Sequence, residues 1–125
     1  FVNSGRLSTA VAYPESPLST ADADRWEGGL APGEPALDAA LDGGWLLDRL
    51  GGQFSLVGHG WKGMVPDGVA LIDVADAGAA LIDRYALQPG AAYLVRPDHY
   101  VAARWQGADG AEVERALSRA RGHQP

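Results

Sequence analysis

The segment 90–105 constrains the fold of this chain more than any other part of the sequence. It places β-branched and aromatic residues on both sides of a short polar connection: Tyr93, Val95, Tyr100 and Val101. Such residues favour a half-buried pleated surface. In the connection, Pro97 fixes its own φ at about −65° and Asp98 can hydrogen-bond the backbone ahead of it, so both suit a turn. The sequence therefore predicts an antiparallel hairpin here.

Two compact apolar runs, 54–57 and 69–74, predict further strands, and we expect both to be central in a sheet. A short helical stripe precedes them, ended by Gly51-Gly52, and consists of Trp45, Leu46, Leu47 and Leu50. A helix is predicted over 77–85, with Asp76 as its N-cap and Pro89-Gly90 beyond its end. After the hairpin, Asp109 and Glu112 have capping-box spacing. They open a terminal helix whose apolar stripe is Val113, Ala116, Leu117 and Ala120.

This order of elements predicts an α/β fold. We expect a mixed central sheet with flanking helices, ending in the antiparallel pair and a helix. Residues 1–35 carry prolines without a sustained helical or strand period, and they predict an extended N-terminal arm. Such an arm needs anchors, and we expect Leu18 and Trp26 to pack on the domain. The predicted division is an arm over 1–35 and a domain over 36–125.

Composition excludes several functional classes. The 125 residues carry a formal charge of −6, which repels phosphate backbones, and the basic cluster at Arg115, Arg119 and Arg121 is weak, so nucleic-acid binding is not expected. No apolar run is long enough to cross a bilayer. Cysteine is absent, which removes thiolate nucleophiles, thiolate metal sites and disulfides. We expect a cytoplasmic protein and, since Phe1 stands first, a piece of something longer.

The strongest candidate binding motif is Gly58-His59-Gly60-Trp61-Lys62-Gly63, which matches G-x-G-x-x-G directly after the strand 54–57. In a dinucleotide-binding unit this loop opens a helix whose N-terminus holds the pyrophosphate. Residues 64–68 leave almost no room for a helix before the next strand. A flexible glycine loop is therefore the favoured interpretation, and a small-ligand or dinucleotide site stays the alternative.

The other polar candidates also have structural interpretations. His59, His99 and His123 are far apart and lack metal-binding spacing, so we expect surface histidines. Asp42 with Asp48, or Asp73 with Asp76, could form carboxylate pairs, but caps and turns explain them without catalysis and are the favoured interpretation. Arg96 is either an anion ligand or a structural arginine paired with a carboxylate. The four tryptophans are scattered, and packing or interface roles are favoured over substrate stacking: Trp26, Trp45, Trp61 and Trp105.

A family resemblance takes the analysis further. Leu94-Val95-Arg96-Pro97-Asp98, continued by Tyr100-Val101-Ala102 and Arg104, resembles a signature near the end of the FAD-dependent aromatic hydroxylases, class A flavoprotein monooxygenases of the phenol and hydroxyphenylpropionate hydroxylase group. Upstream motifs resemble the same region in the same order: Ser16-Pro17-Leu18, Pro32-Gly33-Glu34-Pro35-Ala36, Leu46-Leu47-Asp48-Arg49-Leu50 and Phe54-Ser55-Leu56-Val57. Two positions depart from it, since Ala103 stands where the family often has Trp and His99 where Gly is common.

The resemblance implies a C-terminal thioredoxin-like domain that follows FAD- and substrate-binding domains. Trp61-Lys62-Gly63-Met64 would occupy the place of the thioredoxin cysteines, so disulfide exchange is excluded. FAD and NAD(P)H would bind to the preceding domains. The resemblance therefore implies no catalytic, cofactor-binding or metal-binding residue in this chain. We expect a role in stabilising the parent enzyme or its subunit contacts, and an exposed apolar patch near the arm that could support a homodimer.

Overall fold

The computed structural model describes residues 19–20, 22, 26, 28–41, 44–50, 52–74, 79–107 and 110–121. Their strands are β1 (Ala40–Leu41), β2 (Gly44–Trp45), β3 (Phe54–Gly58), β4 (Val69–Asp73), β5 (Ala92–Val95) and β6 (Val101–Trp105). The helices of the same residues are α1 (Ala79–Arg84) and α2 (Gly110–Ala120), and a 3₁₀ turn spans Leu46–Arg49.

Four strands form the main sheet in the order β4-β3-β5-β6. β3 pairs in parallel with β4 and antiparallel with β5, and β5 pairs antiparallel with β6. This confirms the predicted mixed sheet with an antiparallel last pair. The register of β5 and β6 shifts between Leu94 and Val95, next to the turn. Residues 59–68 cross from β3 to β4 without a helix, as the short spacing predicted.

The turn between β5 and β6 forms as expected from its proline. The backbone N–H of His99 donates to the carbonyl of Arg96 at 2.8 Å, with Pro97 and Asp98 between them. His99 itself has a φ of 72°, in the left-handed region that favours glycine. A histidine at this position therefore carries backbone strain that a glycine would avoid.

Each face of the sheet has its own core. One face is covered by α1 and by the segment that includes β1, β2 and the 3₁₀ turn, and its largest buried side chains are Tyr85, Tyr93, Leu46 and Leu81. The other is covered by α2 and the 59–68 crossover, with Trp61, Trp105 and the helix residues Val113, Ala116, Leu117 and Ala120. The predicted apolar stripe of the terminal helix is thus confirmed. Helices on opposite faces of a mixed sheet give an α/β architecture.

The outer edge of β6 is covered by part of the N-terminal segment. Residues 33–36 run antiparallel to it: Gly33 N–H donates to Val101 O at 2.8 Å, Val101 N–H to Glu34 O at 2.9 Å and Ala36 N–H to His99 O at 2.7 Å. Trp26 packs against the adjacent core, as predicted for an arm anchor. Leu18, the other expected anchor, lies outside the described residues.

Two sequence expectations need correction. β4 is the last strand of the sheet order, so only β3 of the two early strands is central. The stripe 45–50 is a single 3₁₀ turn, and Trp45 belongs to β2 with 54% of its surface exposed. The helix predicted over 77–85 is confirmed from Ala79 to Arg84, and residues 77 and 78 lie outside the described residues. The proposed caps Asp76 and Asp109 and the stop residue Gly51 lie outside the described residues.

Candidate functional site

The glycine loop after β3 is held by hydrogen bonds on both sides. His59 N–H donates to Ala91 O at 3.0 Å and Gly90 N–H donates to His59 O at 2.7 Å, so the loop is fixed to the start of β5. Gly60 N–H donates to the Asp73 carboxylate at 3.1 Å. A phosphate at this loop would meet that carboxylate and would have no helix N-terminus to receive it. These residues therefore do not fit a dinucleotide.

A shallow cleft of about 490 Å³ nevertheless lies beside the loop. It is lined by His59, Gly60, Trp61, Lys62, Gly63, Pro89, Gly90 and Gly107. Trp61 is only 8% exposed, and a Cβ on Gly63 would come within 2.7 Å of its ring. Glycine at position 63 is thus explained by the packing of the indole.

The imidazole of His59 faces a backbone acceptor. Its Nδ1 lies 3.2 Å from Leu87 O, and because a carbonyl only accepts, Nδ1 must carry the proton. Its side chain is half-buried, as is that of His99 in the turn, so neither lies fully on the surface as expected. His123 is outside the described residues. Among the residues that the structure describes, no three His, Asp or Glu side chains are grouped to hold a metal ion.

Arg96 adopts the structural role rather than that of an anion ligand. Its guanidinium pairs with the carboxylate of Asp98 and lies 6.0 Å from the centre of the Tyr100 ring. It follows β5, whereas the glycine cleft lies before that strand. The four residues of β5 separate Ala91 from Arg96, and the five residue-to-residue steps span about 16 Å. The structure therefore does not bring Arg96 and the glycine loop together on one small ligand.

The remaining candidates are dispersed. Asp48 is exposed and Asp73 binds the Gly60 N–H, while Asp42 and Asp76 lie outside the described residues. Each proposed carboxylate pair thus has one member outside the described residues and stays a prediction. Trp61 and Trp105 are buried in the α2-side core and Trp26 packs on Tyr93 with ring centres 5.4 Å apart. Trp45 differs from the other three because 54% of its surface is exposed.

An arginine that we did not single out as a site residue is the centre of a buried polar cluster. Arg104 is 8% exposed, and its Nε and Nη2 donate to the Asp22 carboxylate at 3.0 and 2.8 Å. Nη1 donates to Gly28 O at 3.1 Å, and the guanidinium lies 4.4 Å from the centre of the Trp26 ring. Burial disfavours the charge of Arg104, but hydrogen bonds with Asp22 and Tyr93 outweigh it, so its pKa is raised. The cluster ties residues 22–28 to β6.

Two buried tyrosine hydroxyls extend this connection. Tyr93 Oη accepts the Leu30 N–H at 3.1 Å and donates to Tyr85 O at 2.7 Å. Tyr85 Oη accepts the Leu37 N–H at 2.9 Å and donates to Leu37 O at 2.6 Å. Burial raises the pKa of both tyrosines above the usual value, so their neutral forms are favoured. The sequence contains one signal for this polar cluster: Tyr93 and Arg104 lie on two strands that were predicted to pair.

No family model matches the sequence, and no curated protein matches it. Solved structures do. In a crystal structure of a ternary complex of aklavinone-11 hydroxylase with FAD and aklavinone, the similar region is 26% identical, with a TM-score of 0.63 over 87% of this chain and 26% of that chain. For RebC with bound 7-carboxy-K252c, identity is 22% and the TM-score 0.65, over 90% of this chain and 23% of that one.

The flavin-dependent monooxygenase PieE, in complex with FAD and substrate, is also similar, with 21% identity and a TM-score of 0.57 over 95% of this chain and 25% of that chain. The chain thus spans about a quarter of each of these proteins. The resemblance to FAD-dependent hydroxylases that the sequence motifs indicated is confirmed.

In the described residues, no helix has the length and apolar character needed to cross a membrane.

Proposed function

We propose that this chain is the C-terminal thioredoxin-like domain of an FAD-dependent aromatic-ring hydroxylase of the cytoplasm. In this proposal it takes no part in the chemistry and stabilises the parent enzyme or its subunit contacts. One observation carries the proposal: nearly the whole chain corresponds to about a quarter of aklavinone-11 hydroxylase and PieE, whose complexes contain FAD. FAD, NAD(P)H and the substrate would bind to the domains that precede it.

The local chemistry supports a structural role. A chain without cysteine cannot exchange disulfides, whatever its fold. The polar side chains that the sequence analysis named as candidate site residues already have partners within the chain. Arg96 pairs with Asp98, Asp73 with Gly60 and His59 with Leu87. Binding a ligand at any of them would first require breaking these contacts.

A flavin measurement tests the proposal. We expect the purified 125-residue chain to show no visible flavin absorbance and no saturable heat of binding with FAD or NADPH. The intact polypeptide, in which the flavin-binding part precedes these residues, should retain FAD and lose thermal stability or subunit association when they are deleted. A stoichiometric yellow complex of the 125 residues alone would contradict the proposal.

The cleft beside the glycine loop gives a second, less favoured candidate, an independent module that binds a small anionic ligand, although the Asp73 carboxylate on Gly60 opposes an anion there. Its volume is within the usual range of ligand pockets, and Lys62 and His59 line it. Titration with pyrophosphate separates the candidates. Saturable binding that Lys62→Gln weakens would favour the module. Arg96→Ala is the matched control, because that residue lies at the opposite end of β5.

A further inference from the structure

β4 is the edge of the main sheet that lies opposite β6. Among the strands that the structure describes, β3 pairs with one side of β4 and none pairs with the other. The β6 edge differs, because residues 33–36 run along it. Natural proteins usually protect an open edge with a lysine, a proline or a bulge in the strand. β4 reads Val-Ala-Leu-Ile-Asp in an unbroken register with β3, so it has none of these and can accept another strand.

The backbone groups of Leu71, in the middle of β4, point to this outer edge. Val74 N–H donates to Gly58 O at 2.8 Å, so residues 70, 72 and 74 direct their backbone groups at β3. These groups alternate in direction along a strand, and Leu71 therefore directs its N–H and C=O away from β3. An added strand would pair with Leu71 without disturbing any bond of the sheet.

The side chain of Leu71 is also accessible, with 43% of its surface exposed. Leu71 pairs with Leu56, which is buried in the core on the α2 face, and paired residues project to the same face. α2 packs mainly over β5 and β6, at the other side of the sheet, and leaves Leu71 uncovered. The middle of β4 thus offers both hydrogen-bonding groups and an apolar side chain.

Opposite charges lie at the two ends of β4. Asp73 is exposed at the carboxyl end. At the amino end, Arg121 Nη2 would lie 3.3 Å from a Cβ placed on Gly68. An antiparallel copy of β4 centred on Leu71 reverses these ends, so Asp73 of each copy comes beside Arg121 of the other. A parallel copy would instead set like charges together. The edge is therefore complementary in charge to an antiparallel copy of itself.

We infer that β4 is the contact between two copies of this chain, which pair antiparallel about a twofold axis at Leu71 and join their sheets into one. The two Leu71 residues exchange N–H···O=C bonds in both directions, and their side chains meet on the α2 face. A twofold contact uses the same surface on both copies, as the charges of this edge require. The inference names the partner in the subunit contacts of the proposed function, and it rests on that function.

Amide exchange followed by NMR tests the inference on the 125-residue chain. The Leu71 N–H should exchange more slowly as the protein concentration rises, by about tenfold when the free chain is at about ten times the dissociation constant. The Ile72 N–H, which is directed at β3, should be slow at every concentration and serves as the control. Sedimentation equilibrium from about 1 μM to about 1 mM should show the same monomer–dimer transition, in the range of weak contacts.

Matched charge variants identify the surface. Leu71→Lys sets like charges opposite each other and should weaken dimerisation by about tenfold or more. Met64→Lys adds the same charge at a residue of the 59–68 crossover that is 77% exposed, and it should leave dimerisation unchanged. Arg121→Glu should weaken dimerisation, because it faces Asp73 of the second copy. Arg115→Glu makes the same change at an exposed arginine of α2 and should have no effect.

Three outcomes would overturn the inference. The chain could remain monomeric at every concentration in this range. The Leu71 N–H could exchange slowly at every concentration, which would mean that another part of the same chain covers β4. Leu71→Lys and Met64→Lys could weaken a dimer equally, which would place the contact elsewhere. None of these depends on flavin, whereas stoichiometric binding of FAD by the 125-residue chain would refute the proposed function instead.

Discussion

Arg104 Nη2 lies 2.8 Å from Asp22 Oδ2, joining β6 to a residue 82 positions earlier in the chain. The arginine is almost fully buried, and the aspartate keeps a quarter of its side chain exposed. The same arginine stacks on Trp26 and binds the carbonyl of Gly28. This ion pair therefore fixes the N-terminal segment to the sheet through both charge and packing.

Arg104→Ala should lower the free energy of unfolding by about 2–3 kcal/mol, because it leaves Asp22 and the Gly28 carbonyl without their donor and removes the stacking on Trp26. Urea unfolding measures the change. Arg96→Ala is the matched control: it breaks an Arg–Asp pair whose aspartate is half exposed, and we expect a loss below about 1 kcal/mol. Equal losses in the two variants would contradict a special role for Arg104.

Tyr93→Phe should cost about 1–3 kcal/mol, because the Leu30 N–H and the Tyr85 carbonyl lose a buried partner. Tyr85→Phe should have a similar effect through both polar groups of Leu37. Since the two hydroxyls act on successive parts of one segment, the double variant tests their coupling. A double loss equal to either single loss would show that the two hydroxyls act as one unit, whereas a double loss equal to the sum would show that they act independently.

Stability should fall at alkaline pH. The pKa values of Tyr85 and Tyr93 are raised in the folded protein above the ordinary 10.0, mainly by burial. A tyrosine whose pKa is higher in the folded than in the unfolded protein stabilises the fold fully below about pH 10. This stability is lost as the pH rises further, because tyrosines of the unfolded chain ionise first. Urea midpoints at about pH 8 and about pH 11 measure this loss. The Tyr85→Phe and Tyr93→Phe double variant should show a smaller decrease.

His99→Gly should stabilise the protein by about 0.5–1 kcal/mol, because glycine adopts the positive φ of this turn without strain. Ala86→Gly should act in the same direction. Ala86 has a φ of 52° after α1, where Leu87 N–H donates to Ile82 O and Ala86 N–H to Asp83 O, the hydrogen bonds of a Schellman cap.

Gly52→Ala is the reciprocal control for these two variants. Gly52 has a φ of 78° and no atom within 4 Å of the position that a Cβ would take, so only backbone strain changes. We expect it to destabilise by about 1 kcal/mol. Thermal unfolding of the three variants provides the comparison, and a destabilised His99→Gly would show that its imidazole contributes more than the strain costs.

The sequence by itself determined the elements whose signals are local. The hairpin of β5 and β6 follows from alternating β-branched and aromatic residues around Pro97-Asp98, and α2 follows from an apolar stripe with helical period. The missing helix between β3 and β4 followed from chain length alone. In each case neighbouring residues supply the determining interactions, so their order in the chain is sufficient.

Tertiary structure decided what depends on residues distant in the sequence. Whether an apolar strand such as β4 is central or at the edge depends on which strands pair with it, and its own residues do not encode that. The roles of Arg104 and of the two tyrosines arise only when residues 22–37 fold back on the sheet, bringing groups up to 82 positions apart into hydrogen-bond distance. The exposure of Trp45 was likewise decided by packing, since a short apolar stripe is compatible with a buried helix as well as with an outward-facing strand pair.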